Sequence, residues 1–548
     1  MKENQPSNSP VTPQRKKGRS SKTYKRLRKY HKWFSIVLSL FIVVFALSGI
    51  VLNHRELLSS VDVNRKLLPP VYRYNNWNLA GVRGSLQLQG DTSLLYGNIG
   101  VWITKDDFQT FDDLNKGFPD GIDNRKISKL LRTADNQLFA GTFFGLFRFD
   151  HKNNSWERIK LPGHESRIVD LLIRGDELWI LTRSFLLKAN YTKSPFEASL
   201  HTLPPPENYD NKAGLFKTLW VIHSGEIYGL PGKVFVDFMA LVFIFLTVTG
   251  WMLWLFPGII KRLKHKGKRV KTWSYYIKFS LKWHNKLGYY LVPFLILTAT
   301  TGMFLRPPLL IPIANVKVGK IPFTELDNPN PWFDRLRAIL IVPETDRIIL
   351  STSEGFYYSD DKFLTSLKPF NLQPPVSVMG INVFEAIDNG GFLVGSFSGL
   401  FNWFPGQHYV EDALNRKPWY FSEATGSPFS ESAITGIVRT SKSGTFLFDY
   451  GRGAFPFLHR ETFPEMPKEI LDESPMSIWN VALEFHTARI YGVIIGDFYI
   501  LIIPLAGLSI MFIIISGLWM YWVGFRRKNC LIPEARVMLK AIAGQLFR

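Results

Sequence analysis

YHKWFSIVLSLFIVVFALSGI, residues 30–50, and KWHNKLGYYLVPFLILTATTGM, residues 282–303, decide the fold. Both stretches follow the pattern His-x17-Gly, in which His31 and His284 open apolar runs that end at Gly49 and Gly302. Two copies of one pattern in one chain indicate an internal duplication.

A second motif is also repeated, further along the chain in each half. IHSGEIYG contains His223 and FHTARIYG contains His486, and both follow the pattern His-x3-Ile-Tyr-Gly. Each motif precedes another apolar run, which ends at Thr249-Gly250 in the first copy and at Ser516-Gly517 in the second. The sequence therefore predicts a tandem duplication of a histidine-bearing helix pair.

The composition predicts a membrane protein with large water-soluble parts. The 548 residues are 15% aromatic and their mean hydropathy is +0.01, as expected when apolar spans alternate with polar domains. Four apolar runs approach the roughly 20 residues that cross about 30 Å of hydrocarbon. These runs are Trp33 to Leu52, Val234 to Phe256, Leu287 to Leu305 and Phe498 to Trp522. The first run lacks a small-residue cleavage site, so we expect a retained anchor.

Basic residues beside the spans predict the orientation, since Lys and Arg accumulate on the cytoplasmic side. They cluster at residues 15–29, 261–271 and 526–528. Both termini should therefore be cytoplasmic, and residues of about 55–230 and 306–490 should lie together on the opposite face of the membrane. This topology explains much of the net charge of +21. No DNA or RNA module accompanies the basic runs, so no nucleic-acid partner is predicted.

These features divide the chain into nine predicted segments. They are a disordered basic cytoplasmic tail (1–22), the first span (23–54), the first half of a β-rich periplasmic domain (55–213), a periplasmic-side helix with the second span (214–257), a basic cytoplasmic loop (258–280), the third span (281–306), the second half of the β-rich domain (307–478), a periplasmic-side helix with the fourth span (479–524) and a cytoplasmic tail (525–548). The sole cysteine, Cys530, falls in the last tail, so no disulfide is predicted in the β-rich domain.

Six strand-turn-strand units recur at a spacing of about 40 residues, three in each predicted periplasmic segment. They are LLYGNIGVWITKDD from Leu94, LFAGTFFGLFRFD from Leu138, LWILTRSFLLKAN from Leu178, IILSTSEGFYYSDD from Ile348, FLVGSFSGLFNWF from Phe392 and TFLFDYGRGAFPF from Thr445. The third unit lacks the turn glycine, at Phe185. The units predict a split six-bladed β-propeller, and two separate antiparallel β domains are the alternative.

The histidines of the repeated motifs predict two haem sites. Four spans place His31 and His284 at cytoplasmic ends, and His223 and His486 at periplasmic ends. A pseudo-twofold axis along the membrane normal would bring each pair together. Two imidazoles fill both axial positions of a haem iron, which suits electron transfer. Interfacial histidines without a ligand role are the alternative.

Four glycines are predicted to lie level with these histidines. Gly49 and Gly302 fall on the periplasmic side, and Gly250 and Gly517 on the cytoplasmic side. A planar macrocycle needs the backbone clearance that glycine supplies. Close helix packing at Ser/Thr-Gly pairs is the alternative.

Further side chains are candidates near the periplasmic pair. Arg489, three residues after His486, and Arg55 are placed to bind haem propionates. His54 is a candidate for an alternative ligand, a substrate-side residue or an interfacial anchor. Met303 offers a thioether ligand or fills space in the bundle.

The segments YHKW…LSGI, WHNKLGYY…TTGM and H-x3-IYG…SGLWMYW resemble the PepSY-associated transmembrane-helix family. Its members include bacterial inner-membrane di-haem ferrisiderophore reductases. The resemblance covers the four spans and implies a four-helix bundle with periplasmic insertions and two b-type haems. It implies His31, His284, His223 and His486 as the haem ligands, and a ferric siderophore or another ferric chelate as the electron acceptor.

The sequence thus predicts electron transfer across the membrane to a periplasmic acceptor. No flavin or nicotinamide fingerprint is present, so the donor should be a membrane quinol or a separate reductase. Reduction would release iron, because oxygen ligands hold Fe(III) better than Fe(II). One alternative is a haem-free membrane sensor or interaction protein with a ligand-binding propeller. A secondary transporter is another, although the acidic residues Asp237 and Asp497 lie only at span entries.

Overall fold

The computed structural model describes residues 20–163, 166–375, 377, 379–419, 432–442 and 444–524. Most of the predicted N-terminal tail and the C-terminal tail with Cys530 lie outside these residues. The helices of the described part are α1 Ser20–Asn53, α2 Leu215–Ser224, α3 Gly229–His265, α4 Lys271–Tyr290, α5 Val292–Phe304, α6 Lys468–Asp472, α7 Ile478–His486, α8 Gly492–Ile495 and α9 Ile502–Gly524.

The strands fall between the helices in two insertions, one between α1 and α2 and one between α5 and α7. They are β1 Asp62–Val63, β2 Val82–Gln87, β3 Ser93–Gly97, β4 Gly100–Thr104, β5 Asp112–Asp113, β6 Ile127–Arg132, β7 Leu138–Thr142, β8 Gly145–Asp150, β9 Ser155–Ile159, β10 Ile168–Arg174, β11 Glu177–Thr182, β12 Leu186–Asn190, β13 Ala198–His201, β14 Lys212–Gly214, β15 Lys317–Gly319, β16 Leu336–Val342, β17 Arg347–Thr352, β18 Gly355–Ser359, β19 Lys368–Pro369, β20 Val383–Ile387, β21 Gly391–Ser396, β22 Gly399–Trp403, β23 Val410–Asp412, β24 Lys417–Trp419, β25 Ile434–Arg439, β26 Thr445–Asp449, β27 Gly453–Phe457 and β28 Met476–Ser477.

Three helical segments of the described chain are long and apolar enough to cross a membrane: Lys22–Asn53, Glu226–His265 and Arg489–Val523. The third predicted span is not one straight helix. It consists of α4 and α5, which meet at a bend of 67°. Pro293 lies in the first turn of α5, where its missing N–H and fixed φ favour the start of a new helix. Counting this bent pair as one span gives four.

The long helices form a bundle with the symmetry of the duplication. α1 contacts α3 and α9, and the α4–α5 pair contacts the same two helices. Exchanging the halves maps α1 onto the α4–α5 pair, α2 onto α7, and α3 onto α9. Under this exchange the contact of α1 with α7 becomes the contact of α5 with α2, and both contacts are present. The repeat in the sequence is therefore a repeat in the packing.

All six predicted strand-turn-strand units are present as antiparallel hairpins, namely β3–β4, β7–β8, β11–β12, β17–β18, β21–β22 and β26–β27. In five of them the second strand begins with a glycine at positive φ, for example Gly100 at 91°. In the remaining hairpin Phe185 takes this place. The hydroxyl of Thr182 accepts a hydrogen bond from the Phe185 N–H at 2.9 Å, which closes the turn without glycine.

The first strands of the sheets contact one another in chain order. β2 contacts β6, and the series continues through β10, β16, β20 and β25. β25 then pairs in parallel with β2, at Ile437 and Gly84, and this pairing creates a seven-stranded sheet. The two insertions, predicted as halves of one domain, are joined at this sheet and at the contact of β10 with β16.

Aromatic and aliphatic side chains fill the space between neighbouring sheets. Trp179 of β11 packs with Trp332 and Ile348 of the second insertion. Phe356 and Trp403 lie between the sheets that contain β18 and β22. Each aromatic side chain removes about 150–250 Å² from water, so these layers stabilise the contact between sheets.

The β-rich part is tied to the end of α1 by a buried ion cluster. Arg55 donates to both carboxylate oxygens of Asp123, at 2.8 and 3.1 Å, and Lys126 donates to one of them at 2.5 Å. The Asp123 side chain is fully buried. Burial opposes ionisation, but Arg55 and Lys126 hold the pKa of Asp123 well below its usual range.

We predict that Asp123→Asn destabilises the protein by about 3–5 kcal/mol, because it leaves two cations without their buried partner. The exposed pair Lys66–Asp472 offers a control, and Asp472→Asn should change stability by about 1 kcal/mol or less. The measurement is thermal unfolding of the full chain in detergent. Since the pKa of Asp123 is depressed in the folded state, its contribution is complete above about pH 4 and is lost as the pH falls further. Equal unfolding midpoints for the two variants would contradict the prediction.

Candidate histidine-pair sites

Two pairs of histidines face each other at opposite ends of the bundle. The rings of His31 on α1 and His284 on α4 have centroids 6.4 Å apart and planes at 83°. The rings of His223 on α2 and His486 on α7 have centroids 6.0 Å apart and planes at 51°. The structure thus brings together the four residues that the repeated motifs singled out, in the predicted combination.

Each imidazole is oriented by a hydrogen bond from Nδ1 to a helix of the other half. The acceptors are the Ile513 carbonyl and Ser516 hydroxyl for His31 (both 3.0 Å), the Thr249 hydroxyl for His284 (2.9 Å), the Thr298 carbonyl and Thr301 hydroxyl for His223 (3.1 and 3.2 Å), and the Phe45 carbonyl and Ser48 hydroxyl for His486 (both 3.0 Å). A backbone carbonyl accepts only from a protonated Nδ1, which leaves the lone pair of a neutral ring on Nε2. This is the tautomer that binds a metal through Nε2.

The four glycines of the motifs lie against these rings. A Cβ built on Gly302 would lie 2.7 Å from Cε1 of His223, and one on Gly517 would lie 3.1 Å from Cε1 of His31. The same distance is 3.3 Å from Gly49 to His486, and 3.8 Å from Gly250 to His284. The sequence-based expectation was clearance for a macrocycle. In the structure, an imidazole ring lies directly beside each glycine.

Two short strand pairs position the helices that carry His223 and His486. β14 leads directly into α2 and pairs with β15, which follows α5. β28 leads directly into α7 and pairs with β1, which follows α1. α2 is therefore anchored to the segment that follows α5, the helix that accepts the hydrogen bond of His223. In the same way, α7 is anchored to the segment that follows α1, which accepts the hydrogen bond of His486.

A large cavity of about 2770 Å³ lies between the bundle and the β-rich part. It reaches His223 and His486, together with Gly302 and Gly49, and its lining does not include His31 or His284. Ligand pockets are usually about 300–1,000 Å³. The cavity therefore has room for more than one ligand beside the histidine pair.

Arg489, a predicted propionate ligand, lines this cavity. Its guanidinium donates to Glu484, which also accepts a hydrogen bond from the Tyr72 hydroxyl at 2.9 Å. The buried Nε of Arg489 has no hydrogen-bond partner in the described part of the chain. One donor near His486 thus remains available to an anionic group.

Three other candidates are engaged with protein groups. Nε2 of His54 lies 2.6 Å from a carboxylate oxygen of Asp237, so it forms a protein hydrogen bond. Arg55 is paired with Asp123, as described above. Met303 packs against Gly507, whose added Cβ would lie 3.3 Å from the Met303 sulfur. These contacts give each of the three side chains a structural role.

Each pair offers two imidazole nitrogens, a donor set that fits a haem iron. Across the described residues, no group of three or more His, Cys, Asp or Glu side chains is arranged to hold a metal. A porphyrin supplies four nitrogens, so two imidazoles complete its iron. Imidazoles on opposite sides of one metal have centroids about 6 Å apart, since each metal–nitrogen bond is about 2 Å and each ring adds about 1 Å. Both observed separations agree with this value.

Sequence reasoning missed a cluster of arginines in the same cavity. Arg55, Arg83, Arg167, Arg183 and Arg337 all line it, and they come from five distant positions in the chain. Burial lowers the pKa of Arg167, and the charges of the other four arginines, Arg183 first, lower it further. No spacing in the sequence relates them, because strand register and sheet packing bring them together.

Several solved structures are similar to this chain over about two thirds of its length. The extracellular domain of a one component system from B. thetaiotaomicron is 16% identical, covers 67% of this chain and 39% of that chain, and has a TM-score of 0.22. The match to the GH74 xyloglucanase from Xanthomonas campestris has 10% identity, covers 70% of this chain and 45% of that chain, and has a TM-score of 0.32. The match to PorZ, a surface component of the type-IX secretion system of Porphyromonas gingivalis, has 8% identity, covers 68% of this chain and 37% of that chain, and has a TM-score of 0.31. The chain spans less than half the length of these proteins, and TM-scores this low do not define a shared fold.

Residues 10–256 match the family described as the PepSY-associated TM region. The matched residues contain α1 with His31, the first β insertion, and α2 with His223. No curated protein matches the chain. The chain therefore carries a PepSY-associated TM region, as its histidine motifs predicted, and is a membrane protein.

Proposed function

We propose that this protein transfers electrons across a membrane through two b-type haems and reduces a ferric siderophore or another ferric chelate. His31 and His284 would hold one haem, and His223 and His486 the other. The observation that carries the proposal is the facing of two imidazole rings in each pair, at separations that fit one iron between them. A bis-histidine haem supplies one-electron transfer and leaves no open position for oxygen.

The positions of the two pairs support a transmembrane path. About 27 Å of helix separate His31 from Gly49, against which His486 packs. This length approaches the thickness of the hydrocarbon core, about 30 Å. In this proposal α4 and α5 together form the third of the four spans of a bacterial inner-membrane protein.

The basic segments support the direction of the path. The loop between α3 and α4 and the first turns of α1 are rich in Lys and Arg, which favours a cytoplasmic location for both. His31 and His284 lie at this end, and the β-rich part would then be periplasmic. A membrane quinol or a separate cytoplasmic reductase would be the donor. The Fe(III) of the chelate would accept one electron on the periplasmic side and be released as Fe(II).

We further propose that the β-rich part is one six-bladed propeller assembled from both insertions. The contact of the first strands in chain order, closed by the pairing of β25 with β2, supports this architecture. The strand-rich ectodomain would cover the periplasmic end of the bundle. The cavity at His223 and His486 would then lie between the membrane helices and the propeller.

The surrounding residues have defined tasks in this proposal. The carbonyls of Ile513, Thr298 and Phe45 keep a proton on Nδ1 of three of the histidines, so that Nε2 stays free for iron. The glycines allow the rings to approach the facing helices. The free Nε of Arg489 would bind a propionate, and its pairing with Glu484 fixes its position.

We predict that His284→Ala and His486→Ala each lower the haem content from about two to about one per chain, because each removes one of the two imidazoles that would hold a haem. The measurement is a pyridine haemochrome assay on the purified full chain. His54→Ala is a matched control in the same cavity, and it should retain both haems because His54 is bonded to Asp237. Two haems in both ligand variants would contradict the ligand assignment.

A second prediction concerns the glycines that face the rings. Gly302→Ala should weaken or remove the haem at His223 and His486, since the added methyl would lie 2.7 Å from Cε1 of His223. Gly250→Ala is the control, because its methyl would make an ordinary contact at 3.8 Å with His284. Haem content and the low-spin electron paramagnetic resonance signal report the result. Equal spectra for the two variants would count against this role of Gly302.

A further inference from the structure

The arginine cluster, defined as Arg55, Arg83, Arg167, Arg183 and Arg337, lies on the wall of the cavity that reaches His223 and His486. Fourteen Lys and Arg side chains line this cavity, against seven Asp and Glu side chains in the described residues. A concave surface with such an excess of one charge concentrates the field and attracts ligands of opposite charge. The cavity is therefore suited to anions.

Two members of the cluster are placed by β-bulges. The register of β2 shifts at Arg83 and that of β16 shifts at Arg337. The first strands β6 and β10 shift at the equivalent residues, Ser128 and Val169, and these two also line the cavity. Bulges re-aim a side chain out of the regular alternation of a strand, and they are enriched beside functional sites.

Arg83 and Arg167 have no carboxylate partner among the described residues, unlike Arg55, which is bound by Asp123. Arg167 instead lies over the ring of Phe143, 4.2 Å from its centroid, and Arg55 lies over the same ring at 3.8 Å. Burial and the neighbouring arginines, Arg183 first, lower the pKa of Arg167 well below its ordinary value. An anion between Arg83 and Arg167 would relieve this repulsion.

We propose that Arg83 and Arg167 bind the negatively charged groups of the ferric chelate, so that the protein selects anionic chelates, such as carboxylate complexes, over cationic ones. This inference rests on the proposed function and adds the substrate class. The chelate would occupy the arginine side of the cavity while the histidine pair holds its haem in the same space. One electron passes to Fe(III), which becomes Fe(II), and the electron comes from the reduced protein.

The group that Arg83 and Arg167 would bind is an anionic oxygen. Both the ferric chelate and a haem propionate carry such an oxygen. Arg489 lies three residues after His486 and has a free donor, which favours it for the propionate. Arg83 and Arg167 come from β2 and the segment before β10, in the β-rich part. This placement favours the chelate as their partner, and haem content distinguishes the two sources.

The test measures binding of gallium(III) citrate to the full chain in detergent by isothermal titration calorimetry. Gallium(III) resembles Fe(III) in charge and size but does not accept the electron, so binding is measured apart from reduction. We expect Arg83→Gln and Arg167→Gln each to raise the dissociation constant about tenfold or more, while haem content stays at about two. Gallium desferrioxamine B, a cationic complex, should bind much more weakly to the wild type.

Arg148→Gln is a matched control for charge, because Arg148 is exposed on β8 and does not line the cavity. It should bind gallium citrate as the wild type does. Unchanged binding in both arginine variants would overturn the proposal, and so would equal affinity for the anionic and cationic complexes. Loss of haem in either variant would assign the arginines to propionates and overturn it as well. Selective gallium citrate binding by a protein that cannot reduce ferric citrate would support the anion site and refute only the proposed function.

Discussion

The hydrogen bonds from Nδ1 of the four histidines to the opposite half of the bundle are the interaction on which the rest of the structure depends. Each of them holds a ring, through Nδ1, against a glycine of the facing helix. Without this constraint an imidazole near a helix end would sample several rotamers and point into the headgroup region. Because each of these hydrogen bonds connects one half of the chain to the other, both sites require the duplication. A single helix pair would contain two histidines but none of the groups that accept their Nδ1 hydrogen bonds.

The β-rich part follows from the same constraint. α2 and α7 must be held together at one end of the bundle, and the strand pairs β14–β15 and β1–β28 hold them there. Both insertions must then leave the bundle side by side, which allows the parallel pairing of β2 with β25 and the packing of Trp179 on Trp332. The cavity is the space left between this body and the helix ends. Its charge comes mainly from the β-rich part, and its histidines come from the helices that adjoin the bundle.

Much of this arrangement was predictable from the sequence, because it rests on local patterns. The His-x17-Gly and His-x3-Ile-Tyr-Gly repeats predicted which histidines would meet, and the strand-turn-strand units predicted six hairpins that the structure confirms. The bend at Pro293 and the engagement of His54 by Asp237 were not predicted, since they depend on tertiary packing. The four glycines were predicted to lie level with the histidines, but as clearance for a macrocycle and not as direct contacts of the rings. The arginine cluster was missed for a similar reason. A β-bulge such as that at Arg83 is a property of strand pairing, and no residue type within the strand reveals it.

The most direct measurement is the haem content of the purified full chain, from a reduced-minus-oxidised visible spectrum combined with a pyridine haemochrome assay. Two histidine pairs with free Nε2 atoms and matched spacing predict about two b-type haems per chain, both low-spin. A chain that remains colourless after expression with a haem precursor would contradict the electron-transfer proposal. The histidine pairs would then be contacts that hold the two halves of the bundle together.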